Sequence, residues 1–276
     1  MSSTEPAANR TDAPQPGFGR ILWVQHRLFW RLVWQDIRTT YAGTMLGIGW
    51  VIFGPLLLLL LYAIIYAVIF RVRIPNFTIE EYIVNVFSGL VPFLAFAQGL
   101  GASTNAIQRG KGLLSNPAFP VDLVPLKPVA GAYVILPVGF AFTFIGDLIF
   151  SKVTWTWSFV PLVMLFQMML SMGIGYILSV ISLVVRDLQF LVQYIVIALL
   201  VVTPIAYTPN MIPQGLMSLL YLNPLFYSVY SYQNLVLLNT LPPPHIICIG
   251  SITSLTIFWA GRCFYRRTRG AIGDFL

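Results

Sequence analysis

Between its charged side chains this sequence runs for stretches that match the thickness of a membrane. Residues 39–70, 82–108, 128–146 and 153–185 contain no Asp, Glu, Lys or Arg, and neither does the long stretch 188–261. A helix rises about 1.5 Å per residue, so about 20 apolar residues cross the hydrocarbon core of a bilayer. The first four gaps each hold one such helix. The fifth is too long for one and has a polar, proline-rich middle, so it reads as helix, loop, helix. Six spans are expected near 43–69, 83–106, 128–149, 158–182, 189–207 and 246–263. Composition agrees: 9% of the 276 residues are charged and 58% are hydrophobic, where an ordinary soluble domain has about 25% charged residues. So little charge cannot cover a soluble surface, and the apolar content excludes disorder and a collagen-like chain. A membrane β-barrel needs strands of about ten residues in strict alternation. The unbroken apolar runs Leu56–Leu61 and Tyr194–Val202 point instead to an all-α polytopic membrane protein.

The basic residues set the orientation. With the N-terminus inside, thirteen Lys and Arg fall on the inner side and three, Arg71, Arg73 and Lys152, fall outside. That asymmetry follows the positive-inside rule and places both termini in the cytoplasm. It also accounts for the net charge of +7 through anionic lipid headgroups, without a nucleic-acid partner. Residues 1–19 are polar and rich in Pro and Gly. They read as a flexible cytoplasmic tail rather than a secretory signal, and residues 266–276 read as a second tail. Cys248 and Cys263 both fall in the last span and have no metal or disulfide spacing.

Three segments are not simple spans. Over 20–41, Arg20, Arg27, Arg31 and Arg38 fall within an arc of about 40° on a helical wheel, with Trp23, Trp30 and Trp34 in an adjoining arc. Leu22, Phe29, Val33 and Ile37 extend the apolar side, and Leu28 and Leu32, off that arc, are expected to face protein. Arg and Trp at a polar–apolar boundary predict a helix lying in the interface plane. Its arginines serve either as anchors, as a face toward an anionic lipid-linked substrate, or as a contact to a partner. Residues 109–127 form the one substantial internal cytoplasmic loop. Gly110 and Gly112 end the helix before it, Pro117 and Pro120 punctuate the loop itself, and there is room for a short helix near 113–119. Leu113, Leu114 and Phe119 are apolar in a cytoplasmic loop, which predicts either docking to a partner or folding back on the bundle. The external segment 208–245 has no Asp, Glu, Lys or Arg but is apolar from Ile212 to Tyr232. It reads as two short helices broken at Asn223-Pro224 that dip into the outer leaflet, where covered backbone is tolerated.

The sequence carries little catalytic chemistry. Asp147 reads as a modestly buried outer-end carboxylate or a helix-packing residue, and Arg186-Asp187 as a boundary ion pair. They form no mid-membrane carboxylate relay of the kind that proton-coupled carriers use. His26 and His245 are far apart and on opposite sides, and no zinc-protease or nucleophile-elbow motif occurs. No catalytic or metal-binding residue is therefore assigned. The phosphate-cradling loop that ends in Gly-Lys-Ser or Gly-Lys-Thr is also absent, so any ATP is bound by another polypeptide. What the spans do carry is aromatic: Tyr62, Tyr66 and Phe70 at i, i+4 and i+8, and Phe190, Tyr194 and Tyr207 around span five. Such rings pack helices, or stack on sugars while their hydroxyls hydrogen-bond. Gly43, Gly47 and Gly49 are expected to let span one start in close contact with a neighbour.

Five segments occur in an order that resembles one family: WQDIRTTYAGTMLGIGW at 34–50 running to Pro55, NPAFPVDLVP at 116–125, VRDLQF at 185–190, VTPIAY at 202–207 and YLNPL at 221–225. Spread over about 20–265, they resemble the permease subunits of ABC-2 type polysaccharide exporters, the O-antigen, capsule and teichoic-acid group. The loop departs from the commoner family pattern at Asn116 and Val121-Asp122. The resemblance implies a bacterial inner-membrane half-channel. Two copies pair with two ATP-binding subunits, which hold ATP and Mg, and export a polyprenyl-diphosphate-linked glycan. It implies a path lined by spans one and five (Tyr62, Tyr66, Phe70, Phe190, Tyr194 and Tyr207). It further implies ATPase coupling through Leu113, Leu114, Asn116 and Phe119, headgroup guidance by Arg31 and Arg38, and an outer gate including Pro213, Leu219, Asn223 and Pro224. The competing readings are an ABC-2 permease for a smaller lipid or drug, and a membrane scaffold or glycolipid-modifying enzyme.

Overall fold

The computed structural model describes residues 18–65, 78–114, 120–150, 152–207, 215 and 217–274. Among these residues the chain is helical, with no strand. Its helices are α1 (Phe18–Thr40), α2 (Trp50–Ala63), α3 (Ile79–Thr104), α4 (Ala106–Arg109), α5 (Lys111–Leu114), α6 (Leu126–Tyr133), α7 (Ile135–Phe150), α8 (Val160–Val184), α9 (Leu188–Val202), α10 (Met217–Leu222), α11 (Pro224–Val236) and α12 (Pro244–Asp274). Four segments are long and apolar enough to cross a membrane: Ile79–Thr104, Val121–Phe150, Trp155–Val184 and Pro244–Thr268. They fall where the second, third, fourth and sixth spans are expected. Gly47–Ala63 and Leu188–Val202 are shorter apolar helices, and the far end of the expected first span, 66–69, lies outside the described residues. α9 stops early for a local reason. Thr203 precedes Pro204, which forces it out of the helical region, to φ −76° and ψ 129°. Its 15 residues extend about 22 Å, short of the roughly 30 Å hydrocarbon core.

α3 is the hub. Its apolar window is 72% buried, against 28–44% for the other three candidate spans, and it packs on α2, α6, α7, α8, α9 and α11. Thr78 starts it with a capping box: its hydroxyl accepts from Glu81 N at 3.2 Å, and its own N–H donates to Glu81 Oε2 at 2.8 Å. Pro92 removes one rung from its hydrogen-bond ladder. Nearby, the fully buried Gln167 of α8 donates through Nε2 to the Pro92 carbonyl at 2.8 Å, and its backbone carbonyl accepts from the Tyr133 hydroxyl of α6 at 3.0 Å, so polar bonds tie α8 to both neighbours. The third span is broken into α6 and α7 around Val134, three residues before Pro137, whose missing N–H leaves the Tyr133 carbonyl without its helical donor.

Two helices meet backbone to backbone. A Cβ on Gly173 of α8 would lie 2.5 Å from the Ile257 carbonyl oxygen of α12, and one on Gly261 would fall onto the Gly173 carbonyl. Small residues at such crossings let membrane helices approach closely. The glycines expected to do this in span one act differently. Gly43 and Gly47 adopt φ +80° and +52° with open space around them, and Gly49 meets only its own neighbours Leu46 and Phe53. The first two build the corner between α1 and α2, a left-handed geometry that glycine adopts without strain.

Candidate functional site

α1 lies on the bundle by one stripe. Phe29, Val33 and Ile37 are buried at i, i+4 and i+8, and Val33 and Ile37 sit against Gly131 of α6. Asp36 pairs with Lys127, in the first turn of α6, at 2.8 Å. Both partners are partly exposed, so the pair contributes about 1 kcal/mol at most. The three buried side chains contribute about 1.5–3 kcal/mol each and decide the docking. Arg31 and Arg38 are exposed on the other side, and the Arg38 guanidinium stands over the Trp34 ring at 5.4 Å. Leu28, expected against protein, is exposed, because it lies about 100° around the helix from Phe29, away from the stripe that meets α6.

The loop expected at 109–127 has a closed base. A Cβ on Gly110 would lie 2.8 Å from Val124 Cγ1, so glycine is what lets the two ends meet. Ile107, Leu123 and Val124 are buried in the core. Asn105 Nδ2 donates to Gln189 Oε1 of α9 at 2.8 Å, and Gln108 Nε2 donates to the Ser182 carbonyl of α8 at 3.1 Å. The short helix expected at 113–119 begins earlier, as α5. Leu113 and Leu114 are on its backbone, while Asn116 and Phe119 lie outside the described residues.

Behind that base sits a polar knot with no local signature in the sequence. Asp122 and Arg262 are 3% and 6% exposed, with Oδ2 and Nη2 at 4.0 Å. Tyr176 of α8 donates to the Asp122 carbonyl at 3.1 Å, and Tyr265 of α12 donates to the Val121 carbonyl at 3.0 Å. The end of the loop is thereby fixed to two long helices. Arg186 and Asp187, expected to pair, form no ion pair with each other and are exposed, since they sit at the free corner between α8 and α9.

α2 and α9 are the least covered of the apolar helices. In α2 only Leu59 is buried, and in α9 only Leu188 and Val192. Phe53, Leu57, Leu60 and Ile64 form an exposed stripe on α2, and Phe190, Tyr194, Ile197 and Val201 form one on α9. Phe190 and Tyr194 thus share an open face, with Tyr194 72% exposed. Tyr62 lies about 180° from the α2 stripe, half-buried against the core, while Tyr66 and Phe70 lie outside the described residues. The Tyr207 hydroxyl donates to the Val202 carbonyl at 2.7 Å, capping the end of α9.

The stretch Thr203–Tyr207 is non-helical yet mostly buried, and its carbonyls need donors. Tyr82 of α3 donates to the Ala206 carbonyl at 2.8 Å, and Gln233 of α11 donates to the carbonyls of Pro204 at 2.9 Å and Ile205 at 3.2 Å. The helix break at Asn223-Pro224 occurs as expected, with α10 before it and α11 after it. Asn223 is buried: its Oδ1 accepts from Leu225 N at 3.0 Å, and its Nδ2 donates to Thr203 Oγ1 at 2.8 Å. α11 packs among α3, α8 and α12. Pro224 is half-buried, Leu219 is exposed, and Pro213 lies outside the described residues. Asn223→Ala removes the cap and strands the buried Thr203 hydroxyl, a loss of about 2 kcal/mol. Thermal unfolding in detergent should show it as a lower midpoint, and an unchanged midpoint would refute the role.

At the far end of α7, Asp147 is fully buried and accepts from Trp157 Nε1 at 2.8 Å. The carboxylate is more deeply buried than expected, and it positions a packing tryptophan against Phe140 and Phe144. Among the described residues no cluster of three His, Cys, Asp or Glu is placed to hold a metal.

Comparison with known proteins identifies the family. The chain is 27% identical over 253 residues to an O-antigen export system permease protein of Myxococcus xanthus, covering 91% of this chain and 95% of the relative. It is 29% identical over 211 residues to an O-antigen export system permease protein of Klebsiella pneumoniae, covering 75% and 79%. It is 24% identical over 247 residues to a polysialic acid transport protein of Escherichia coli, covering 86% and 92%. The sequence pattern of the family described as ABC-2 type transporter matches residues 27–237, from the exposed face of α1 to the end of α11. This all-helical membrane protein therefore belongs to the ABC-2 type transporter family.

Proposed function

We propose that the chain is the transmembrane subunit of an ATP-driven exporter. It moves a polyprenyl-diphosphate-linked polysaccharide, such as an O-antigen or capsule glycan, from the cytoplasmic side across the bacterial inner membrane. The observation that carries this reading is the nearly end-to-end likeness to permeases named for O-antigen export and polysialic acid transport. On this reading α2 and α9 belong to two further spans, making six, with both termini cytoplasmic. Two copies face one another through the exposed stripes of α2 and α9, and Phe190 and Tyr194 give the sugars an aromatic wall with Tyr62 behind it. Two ATP-binding subunits, holding ATP and Mg, dock at the loop carrying Leu113, Leu114, Asn116 and Phe119. The closed base of that loop would pass their motion on without slack. The exposed Arg31 and Arg38 compensate the diphosphate, and the α10–α11 segment closes the outer end. No bond is made or broken in this chain.

Deleting the chain tests the proposal. Lipid-linked polymer should build up inside the cell while surface glycan disappears. Unchanged surface glycan in a strain with no second export route would end it.

A further inference from the structure

We propose that the basic end of α12 holds the phosphate of an anionic phospholipid, at a site separate from α1 and independent of the export reading. A cleft of about 390 Å³ there is lined by Trp259, Arg262, Cys263, Arg266 and Arg267. The Arg262 side chain is 7% exposed, lies 4.0 Å from Asp122 and stands over the Trp259 ring at 5.5 Å. It is held in place from two sides. Arg266 and Arg267 are exposed at the lip, and no acidic side chain among the described residues pairs with either. Arg262 is offset by Asp122, so Arg266 and Arg267 give the cleft its net positive charge beside one fixed guanidinium. Guanidinium forks suit phosphate oxygens, and a fixed donor loses less entropy on binding.

The apolar surface leading into the cleft selects the ligand. Ile252, Leu255 and Trp259 are exposed on α12 at spacings of three and four, and Arg262 and Arg266 continue that face. An acyl chain laid along Ile252 and Leu255 brings its headgroup past the tryptophan to the arginines, the order that a membrane interface imposes. An acidic protein surface would meet the arginines but leave the ridge bare. Inorganic phosphate shares the headgroup chemistry and would use only the cleft.

Native mass spectrometry of the full-length chain in detergent tests the site with phosphatidylglycerol, phosphatidylcholine and inorganic phosphate as probes. Phosphatidylglycerol should bind more tightly than phosphatidylcholine. R266Q/R267Q should weaken phosphatidylglycerol about 30-fold, since each basic residue near an anionic headgroup contributes about fivefold. R266K/R267K should keep most of the affinity, and inorganic phosphate in excess should not displace the lipid. Equal affinity in R266Q/R267Q overturns the proposal. Displacement by phosphate alone overturns it in favour of a soluble anion, and unchanged lipid binding with loss of a co-purifying protein overturns it in favour of a protein contact.

Discussion

A Gly261→Leu chain should fail to hold its helices together. The new Cβ would fall onto the Gly173 carbonyl, and the Gly173 position in turn faces the Ile257 carbonyl and Phe258 Cα. Backbone cannot yield as a flexible side chain does, so α12 has to move off α8 along their whole contact. That contact is the most extensive between any two helices among the described residues and includes the packing of Tyr176 against Phe258 and Tyr265. Overpacking of a rigid site costs about 1–3 kcal/mol, and loss of the surrounding contact takes this substitution to the top of that range or beyond. Thermal unfolding in detergent should show a large fall in midpoint or no folded protein. Gly101→Ala is the control: it lies in a helix with open space around it, and alanine is the better helix former by about 1 kcal/mol. Equal behaviour of the two variants would refute the crossing.

Asp122→Ala should be of comparable severity. It leaves the buried Arg262 without its counter-charge, and breaking a buried pair from one side costs about 3–5 kcal/mol. The backbone bonds from Tyr176 and Tyr265 survive the change, so the loss is assigned to the charge. Asp122→Ala combined with Arg262→Leu should recover most of the stability, because an apolar replacement of both partners is often neutral. A double variant as unstable as the sum of the singles would show that the two residues act independently.

What can be read from sequence divides by range. Charge-free lengths are local, so the long helices are legible, and so is the break at Asn223-Pro224, where proline cannot continue the ladder behind it. The pairing of Gly173 with Gly261 is not legible, since both glycines lie in apolar runs and only folding brings them together. Asp122 stands out as a departure from a family pattern, yet nothing near it points to Arg262, which lies 140 residues further along the chain. Gly43 and Gly47 read as contact glycines because spacing cannot distinguish a close crossing from a left-handed corner. The aromatic faces are legible in part: Phe190 and Tyr194 do share an open side, whereas Tyr62 turns toward the core.

On the proposed function, the docking of α1 onto α6 would tie headgroup guidance to ATPase coupling. Phe29, Val33 and Ile37 fasten the arginine-bearing helix to the element that begins immediately beyond the closed loop base, and Asp36–Lys127 pins its register. On that reading, a force that tilts the loop would also swing Arg31 and Arg38, with the left-handed glycine corner at Gly43 and Gly47 between α1 and α2 as the natural pivot. In an exporter, a cargo headgroup held by those arginines would feel each stroke of the motor directly, so loading and propulsion would keep a common clock.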